Sequence, residues 1–406
     1  MCRRWEYLLK SSSLWKYVDV TGLYKKLSDK YLWPNALESQ ACLKKREGVA
    51  LNFLETYAGP ATGHVNLGEL VNNNILFYLR ESCPNLTYIK LTKLVSKHPN
   101  IKLTLLPCRL KVINLRLVCF REVRDRNISK KLFWVRNSSR IGDFAVEPFL
   151  NLTHLGLDGA TISSDLCRQL SLSKNLTTLK LQSCVFPTSM RKDFENLTVK
   201  LINIRDIDLA FCRFYTDAVL EVVLKSIALN LINLENCGFH CFQPSIHVDF
   251  DETFLKFVNP NGNLLRLHLS GIQGLSPDVF KEFSRRNENL EILHLRFCKV
   301  VNDETLCSVV TNLRQLKELK LSGCKEITKN GIRLLAHHPC LEVLEIAEMH
   351  IAIEAILFVV RSLPHIRHLI LSNEAYKVCC KVLRKEKAQL LISLARLDYQ
   401  EYLEQF

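Results

Sequence analysis

The feature that most constrains the fold is a pattern of apolar residues between Asn289 and Ile351 that occurs three times. Leu290, Leu293, Leu295 and Cys298 stand at offsets 0, 3, 5 and 8 of its first copy. Later copies begin at Leu316 and Leu341, 26 and 25 residues further along. Offsets 3 and 5 place two side chains on one face of a short strand. The residue at offset 8 follows a turn, where a small thiol fits against the strand residues.

A period of about 20 to 29 residues with this spacing is typical of leucine-rich repeats, whose units bury their apolar faces only by stacking. We predict an α/β leucine-rich-repeat solenoid, a horseshoe with parallel concave strands and outer helices, over residues 84–375. Eleven candidate repeats begin at Leu86, Leu110, Leu152, Leu176, Ile204, Leu229, Leu264, Leu290, Leu316, Leu341 and Ile366. The intervals of 42 residues after Leu110 and 35 residues after Leu229 indicate insertions.

The segments on either side of these repeats lack a clean repeat pattern. Residues 22–83 are expected to form a helical linker and an N-terminal cap, with an apolar helix from Leu70 to Leu79. Residues 376–406 are expected to form a helical C-terminal cap. Repeat arrays need such caps, because an unpaired terminal repeat exposes its core.

The cysteines and the N-terminus indicate a compartment. The chain has 16 cysteines. Five of them stand at offset 8 and are predicted to be reduced packing thiols: Cys184, Cys212, Cys237, Cys298 and Cys324. The sequence shows no apolar signal core and no run of about 18 apolar residues, so we expect no membrane segment and a cytoplasmic or nuclear location. Asn-Leu-Thr triplets at Asn85, Asn151 and Asn175 are attributed to the repeat pattern, because each asparagine precedes a lead residue.

Residues 1–20 resemble a specific module. Cys2-Arg3-Arg4-Trp5, Leu8-Leu9, Leu14-Trp15 and Val18-Asp19 are similar to the C-terminal half of an F-box, whose N-terminal half is missing from this sequence. An F-box followed by cysteine-bearing repeats is the layout of the F-box/leucine-rich-repeat family. The resemblance implies that residues 1–21 are a short helical partial F-box that binds a Skp-type adaptor and, through it, a cullin. The implied adaptor-binding residues are Trp5, Leu8, Leu9, Leu14 and Trp15.

The sequence shows no motif for catalysis, a cofactor or a metal. It lacks a nucleophile elbow, a Walker loop, a dinucleotide-binding glycine pattern and a zincin motif. The segment Cys237-Gly238-Phe239-His240-Cys241 carries ligand types, but a zinc site needs a second pair at a suitable spacing. We therefore expect a protein that is not an enzyme and that needs no cofactor.

A binding surface follows from strand alternation. If the repeat leucines point inward, the residues between them face outward along the concave side. The predicted substrate-binding residues are Lys180, Asp206, Asp208, Glu235, Arg266, His268, His294, Arg296 and Lys320. They divide into an acidic zone of Asp206, Asp208 and Glu235 and a basic zone of Arg266, His268, His294 and Arg296.

These features favour a substrate-recognition subunit of an SCF-type ubiquitin ligase, which binds a protein substrate on its repeats for ubiquitination and proteasomal degradation. The alternative is an adaptor-independent repeat scaffold or inhibitor. A third hypothesis comes from residues 1–140, which hold 25 Lys and Arg against 10 Asp and Glu. Such an excess can serve nucleic acid or simply coat exposed helices. Since no nucleic-acid motif accompanies it, nucleic acid is the less favoured partner.

Overall fold

The computed structural model divides the chain into two compact units, Met1–Asn203 and Ile204–Phe406. The residues that it describes are 15–21, 40–68, 72–95, 105–107, 109–118, 139–140, 150–158, 160–182, 184–210, 212–214, 219, 222–223, 226–227, 236–240, 251, 264–271, 275–387 and 389–395.

The first unit combines a parallel sheet with helices. Its elements are β1 (Tyr17–Asp19), α1 (Gln40–Tyr57), β2 (His64–Gly68), α2 (Asn73–Ser82), β3 (Tyr88–Val95), β4 (Val112–Val118), β5 (Ser139–Arg140), β6 (His154–Asp158), β7 (Ala160–Thr161), α3 (Ser164–Leu170), β8 (Thr178–Gln182), β9 (Val185–Phe186) and α4 (Arg191–Lys200). The main sheet runs β1-β2-β3-β4-β6-β8, and β5, β7 and β9 form a smaller parallel ladder.

The repeats begin earlier than the sequence predicted. Val18 and Val65 are strand partners and are both fully buried, as is Ile89 in the next strand. Val18 and Val65 occupy offset 3 of repeats whose lead residues are Trp15 and Thr62. The helical prediction for residues 1–83 is therefore wrong at β1 and β2. A search for leucines at the lead position misses these two repeats, although their valines alternate with period two.

The second unit continues the alternation of strand and helix. Its elements are β10 (Asp206–Ala210), β11 (Arg213–Phe214), β12 (Asn236–His240), β13 (Arg266–Ser270), α5 (Pro277–Arg286), β14 (Ile292–His294), α6 (Asp303–Asn312), β15 (Glu318–Lys320), α7 (Lys329–Leu334), β16 (Val343–Ile346), α8 (Ile353–Ser362), β17 (His368–Leu371), α9 (Asn373–Glu386) and β18 (Leu391–Leu394). Strands β10, β12 and β13 to β18 pair in that order and in parallel. The predicted α/β fold with parallel strands is confirmed.

Two predictions in this unit need correction. Cys237 pairs with Ile207 on one side and Leu267 on the other, so it stands at offset 3 and not at offset 8. The lead of that repeat is position 234, and the intervals around it are 30 and 30 residues. The C-terminal cap is helical only as far as Glu386, because Leu391–Leu394 adds a strand to β17.

One turn is shared by four repeats of the second unit. The residues at offset 7, which are Gly271, Phe297, Gly323 and Glu348, all have positive φ, between 52° and 76°. This left-handed step reverses the chain after each strand and sends the next residue into the core. At offset 8 the Cys298 thiol donates to the Leu269 carbonyl at 2.8 Å, and the Cys324 thiol donates to the Leu295 carbonyl at 2.9 Å. Each thiol thus bonds to the preceding repeat.

The structure also explains the Asn-Leu-Thr triplet at Asn85. The Asn85 amide donates to the Pro60 carbonyl at 2.8 Å, and the Thr87 hydroxyl donates to the Gly63 carbonyl at 3.2 Å. The acceptors lie 25 and 24 residues earlier in the chain, which is about one repeat length. The triplet therefore joins neighbouring repeats on either side of a lead leucine that is itself fully buried.

Candidate binding surface

The open strand face of each unit is formed by the strand residues at offsets 2 and 4, between the buried residues at offsets 3 and 5. In the second unit, Arg266 pairs with Ile292, which pairs with Glu318. In the neighbouring row, His268 pairs with His294, which pairs with Lys320. Since parallel strands lie about 4.8 Å apart, side chains in one row can contact each other directly. Four of the nine predicted substrate-binding residues lie in these two rows: Arg266, His268, His294 and Lys320.

His294 and Glu318 form the centre of this face. The two side chains are linked through His294 Nε2 and Glu318 Oε1 at 2.8 Å, and Lys320 Nζ lies 2.7 Å from the same oxygen. Burial lowers the pKa of His294 to about 4, in spite of its bond to Glu318. The bond from His294 and the charge of Lys320 lower the pKa of Glu318 to about 2, although burial opposes this. At neutral pH the arrangement is therefore a neutral imidazole donating to a carboxylate.

His268 completes this cluster from the next strand. Its ring meets the His294 ring edge-on, with centroids 4.0 Å apart. Burial lowers the pKa of His268, and the positive charge of Lys320 acts in the same direction; the carboxylates of Asp208, Glu318 and Asp206 oppose it. Both histidines are therefore mainly neutral at pH 7.

Arg296 belongs to a second network that spans three repeats. Its Nε donates to Glu345 Oε1 at 2.6 Å, and Nη2 donates to Glu345 Oε2, which gives a bidentate pair. The Ser322 hydroxyl donates to Glu345 Oε1 at 2.7 Å and accepts from the Ala347 amide at 3.0 Å. Glu345 is 0% exposed. Its buried charge is thus matched by a cation and a hydroxyl, as a buried carboxylate requires.

These contacts change the interpretation of the predicted basic zone. His268 and His294 carry little charge, and the charge of Arg296 is balanced by Glu345. Arg266 is exposed and makes no hydrogen bond or ion pair within the part of the chain that the structure describes. Four residues were expected to form a cationic surface, whereas the structure leaves one uncompensated cation beside a fixed polar cluster.

The remaining predicted residues lie in different places. Asp206 and Asp208 lie half-buried on β10, and Asp208 Oδ1 accepts from the Ala210 amide at 2.9 Å. Lys180 lies exposed on β8 of the first unit. Glu235, Trp5, Leu8, Leu9 and Leu14 lie outside the described residues.

Trp15 is described, and it packs within its own unit. Its ring centroid lies 4.8 Å from that of Tyr57 and 6.1 Å from that of Phe53, both on α1. Its carbonyl accepts a hydrogen bond from the Thr62 hydroxyl at 2.9 Å. The second half of the F-box-like sequence therefore runs directly into the sheet, and its tryptophan is half-buried there.

The open face of the first unit carries a row of rings that the sequence did not reveal. Tyr17, His64 and Tyr88 are partners in three consecutive strands. Their centroids are 6.3 Å and 5.4 Å apart, and the rings are tilted by 38° and 41°. Tyr17 is 56% exposed and His64 is also exposed. We call Tyr17, His64 and Tyr88 the ring ladder. An alternation analysis that included β1 and β2 would have found it.

Two other kinds of site are absent from the described residues. No group of three or more His, Cys, Asp and Glu side chains there could hold a metal ion. Among those same residues, no helix is long and apolar enough to cross a bilayer.

Comparisons with known proteins give limited matches. No family model matches the chain. A stretch of 153 residues, 36% of this chain, is 27% identical to NACHT, LRR and PYD domains-containing protein 9B of Mus musculus. The chain spans only 15% of the length of that relative. The crystal structure of the Rad7 and Elc1 complex in yeast matches with a TM-score of 0.38 and 14% identity, covering 94% of this chain and 98% of that one. The name of the mouse protein records leucine-rich repeats in that protein. The period of about 25 residues in this chain lies in the range typical of such repeats.

Proposed function

We propose that this chain is a non-catalytic protein-binding repeat protein that acts as a substrate-recognition subunit of an SCF-type ubiquitin ligase. In this proposal the repeats stack as a solenoid whose open strand faces hold the substrate, while the N-terminal segment joins a Skp-type adaptor and a cullin. The chain contributes position and not chemistry, because holding a substrate lysine near a ubiquitin-charged enzyme raises its effective concentration.

The observation that carries the proposal is the fixed polar surface on β13 to β16. Its side chains are held by one another, so a partner that binds there meets groups already in place, and less entropy is lost on binding. Arg266 lies beside this cluster as a cation without a partner in the described residues. The F-box-like sequence of residues 1–20 supports the ligase role specifically.

The experiment is an affinity purification of the full chain, beside a version extended upstream, with adaptor and cullin measured by mass spectrometry. We expect both to be recovered with at least the extended form, and to be lost when Trp5 and Leu8 are changed to Ala. Phe77→Ser, an exposed change on α2, is the control. If neither form recovers the adaptor, the ligase role is wrong.

The substrate surface is tested separately in the same purification. Arg266→Glu should leave adaptor recovery unchanged while reducing the amount of co-purified, ubiquitinated protein. Lys299→Glu is the matched charge reversal, because Lys299 is also exposed, makes no hydrogen bond or ion pair within the described residues and lies outside the two rows. An equal effect of both variants would mean that Arg266 has no special role.

A second candidate is supported by the packing of Trp15. In the resemblance this tryptophan belongs to the adaptor-binding set, but in the structure it contacts Phe53 and Tyr57. An adaptor-independent scaffold or inhibitor would keep the repeats and use this residue only as core. A stable protein partner recovered without any ubiquitin machinery would favour that candidate.

A further inference from the structure

The ring ladder offers a binding surface apart from the predicted substrate residues. Tyr17, His64 and Tyr88 lie side by side across three strands, with two of the three rings exposed. Tyrosine is enriched in binding surfaces because its rigid ring gives a large contact area at a small entropic cost. Tyrosine and histidine are intermediate in burial, but three of them in one row on an open face form a continuous aromatic surface of the kind that contacts partners.

The surroundings hold the ladder in place. Asp19 lies in the row next to Tyr17 and accepts hydrogen bonds from the Thr21 amide at 2.8 Å and from Asn66 Nδ2 at 3.0 Å. The Tyr17 hydroxyl lies 3.4 Å from the same carboxylate. The carboxylate of Asp19 is thus occupied by its neighbours, and its contacts fix the end of the ladder.

Lys90 provides the charge on this surface. It is the strand partner of Asn66 and lies on the same face as Tyr88, two residues away on β3. Lys90 is half-buried and makes no hydrogen bond or ion pair within the described part of the chain. A half-buried ammonium without a carboxylate partner favours an incoming anion. Residues 1–140 hold 25 Lys and Arg against 10 Asp and Glu, and such an excess attracts anionic partners at long range.

We propose that the ring ladder and Lys90 bind an extended acidic segment of a protein partner, which places an aromatic or proline side chain on the rings and a carboxylate on Lys90. The inference rests on the proposed function, since it assumes that the strand faces hold protein. An extended chain advances about 3.3 Å per residue, so the three rings match roughly four residues that cross the strands. Single-stranded nucleic acid also stacks on rings, but it is bound in grooves that carry many cations along its backbone. Lys90 is the one Lys or Arg in the two rows that cross β1, β2 and β3.

The test selects peptides from a random phage-displayed library of about 12 residues on the purified full chain, and measures selected peptides by fluorescence polarisation. We expect acidic sequences containing aromatic residues or proline. Tyr17→Ser and Lys90→Glu should each weaken them about tenfold, the loss typical of a contact residue worth 1.4 kcal/mol. Selection on Lys90→Glu should favour basic peptides. Phe77→Ser is the control, because Phe77 and Tyr17 are both 56% exposed.

The proposal is overturned if no acidic sequences are enriched, or if the selected peptides bind Tyr17→Ser and Lys90→Glu as tightly as the parent chain. It is also overturned if a labelled oligothymidine binds the parent chain and both variants lose that binding, since the ladder would then serve nucleic acid. No adaptor is needed in this assay. Failure here leaves the recovery of adaptor and cullin unaffected, while peptide binding without adaptor recovery would reject only the ligase role.

Discussion

Gly323 shows how one residue supports the junction between two repeats. It has φ of +76°, and a Cβ atom added there would lie 2.2 Å from Cδ1 of Phe297. Replacement by alanine would therefore meet both a backbone cost and a clash with a ring. Phe297 itself occupies the left-handed region with φ of 58°, so little freedom remains at this junction.

Gly323→Ala should lower the free energy of unfolding by about 2–4 kcal/mol, the sum of a left-handed backbone cost and an overpacking cost. The control is Gly48→Ala on α1, where nothing lies within 4 Å of the added methyl group. Helical glycine is less favourable than alanine, so this change should stabilise by about 0.5–1 kcal/mol. Chemical denaturation of both variants measures the difference. Equal denaturation midpoints for the two variants would show that Gly323 is not required by its backbone conformation and its contact with Phe297.

At the residue scale, the sequence predicted most of the buried leucines but not every register. The segment from Leu229 to Phe239 has apolar residues that fit two registers five residues apart, because Leu229 and Leu234 can each serve as lead. Local spacing cannot choose between them. The pairing of Cys237 with Leu267 decides, and that contact joins residues far apart in the chain.

At the scale of strands, the cluster of His268, His294 and Glu318 makes stability depend on pH. The pKa of His294 is about 4 in the folded chain, below its ordinary 6.5. As the pH falls, the histidine is therefore protonated in the unfolded chain before it is protonated in the folded chain. The stabilisation that neutral His294 gives the folded chain is complete above pH 6.5 and is lost as the pH falls toward 4. Glu318, whose pKa is lowered to about 2, adds a further loss only below its ordinary 4.5.

Between pH 6.5 and 5 we expect the free energy of unfolding of the parent chain to fall by about 1–2 kcal/mol more than that of the His294→Gln variant. The variant binds no proton at this position. Urea denaturation at several pH values measures both. If the free energy of unfolding depends on pH in the same way in the parent and the variant, His294 does not titrate as the structure indicates.

The Arg296–Glu345 pair should be strongly coupled because it is buried. In a double-mutant cycle with Arg296→Met and Glu345→Met, we expect a coupling energy of about 1–3 kcal/mol. Arg361 and Glu386 form an equally bidentate pair between α8 and α9, at 2.7 Å for both bonds, but their side chains are 50% and 39% exposed. Their cycle should give less than about 0.5 kcal/mol. Similar couplings would mean that burial does not decide the strength.

The helices and strands were easier to predict from the sequence than their side-chain partners. The α2 helix starts at an asparagine cap, with Asn72 accepting from the Ile75 amide, and it overlaps the predicted apolar helix. The partner of Arg296 could not be predicted, since Glu345 lies 49 residues away and belongs to another repeat. Strand alternation gives the face on which a charge lies but not the opposite charge that balances it.

At the scale of the whole chain, stability should decrease toward the final strand of the second unit. Leu391 and Leu394 on β18 are 59% and 46% exposed, whereas Leu319 and Leu344 on β15 and β16 are fully buried. Because repeat arrays gain stability from neighbours, we expect β18 amides to exchange with deuterium well before those of β15 and β16. Mass spectrometry of peptic fragments measures this order. Equal protection would contradict it.

The sequence predicted the period and the α/β fold with parallel strands, because these depend on spacing that repeats. It failed at Trp15 and Thr62, where the lead residue is not aliphatic, and consequently missed the ring ladder on the strands that follow. The net charge of the second unit's open face was also misjudged, since it depends on burial and on pairs between repeats.

The hydrogen bonds from the Cys298 and Cys324 thiols to the preceding repeat affect how such a chain can change in evolution. Cys324 bonds to Leu295 in the way that Cys298 bonds to Leu269, so in both cases the acceptor is the equivalent carbonyl of the preceding repeat. Excision of residues 290–315 would bring Cys324 opposite Leu269, with the same donor, acceptor and turn. Gene duplication or loss of one whole period is therefore neutral for this junction, whereas an insertion of a few residues within a strand is not.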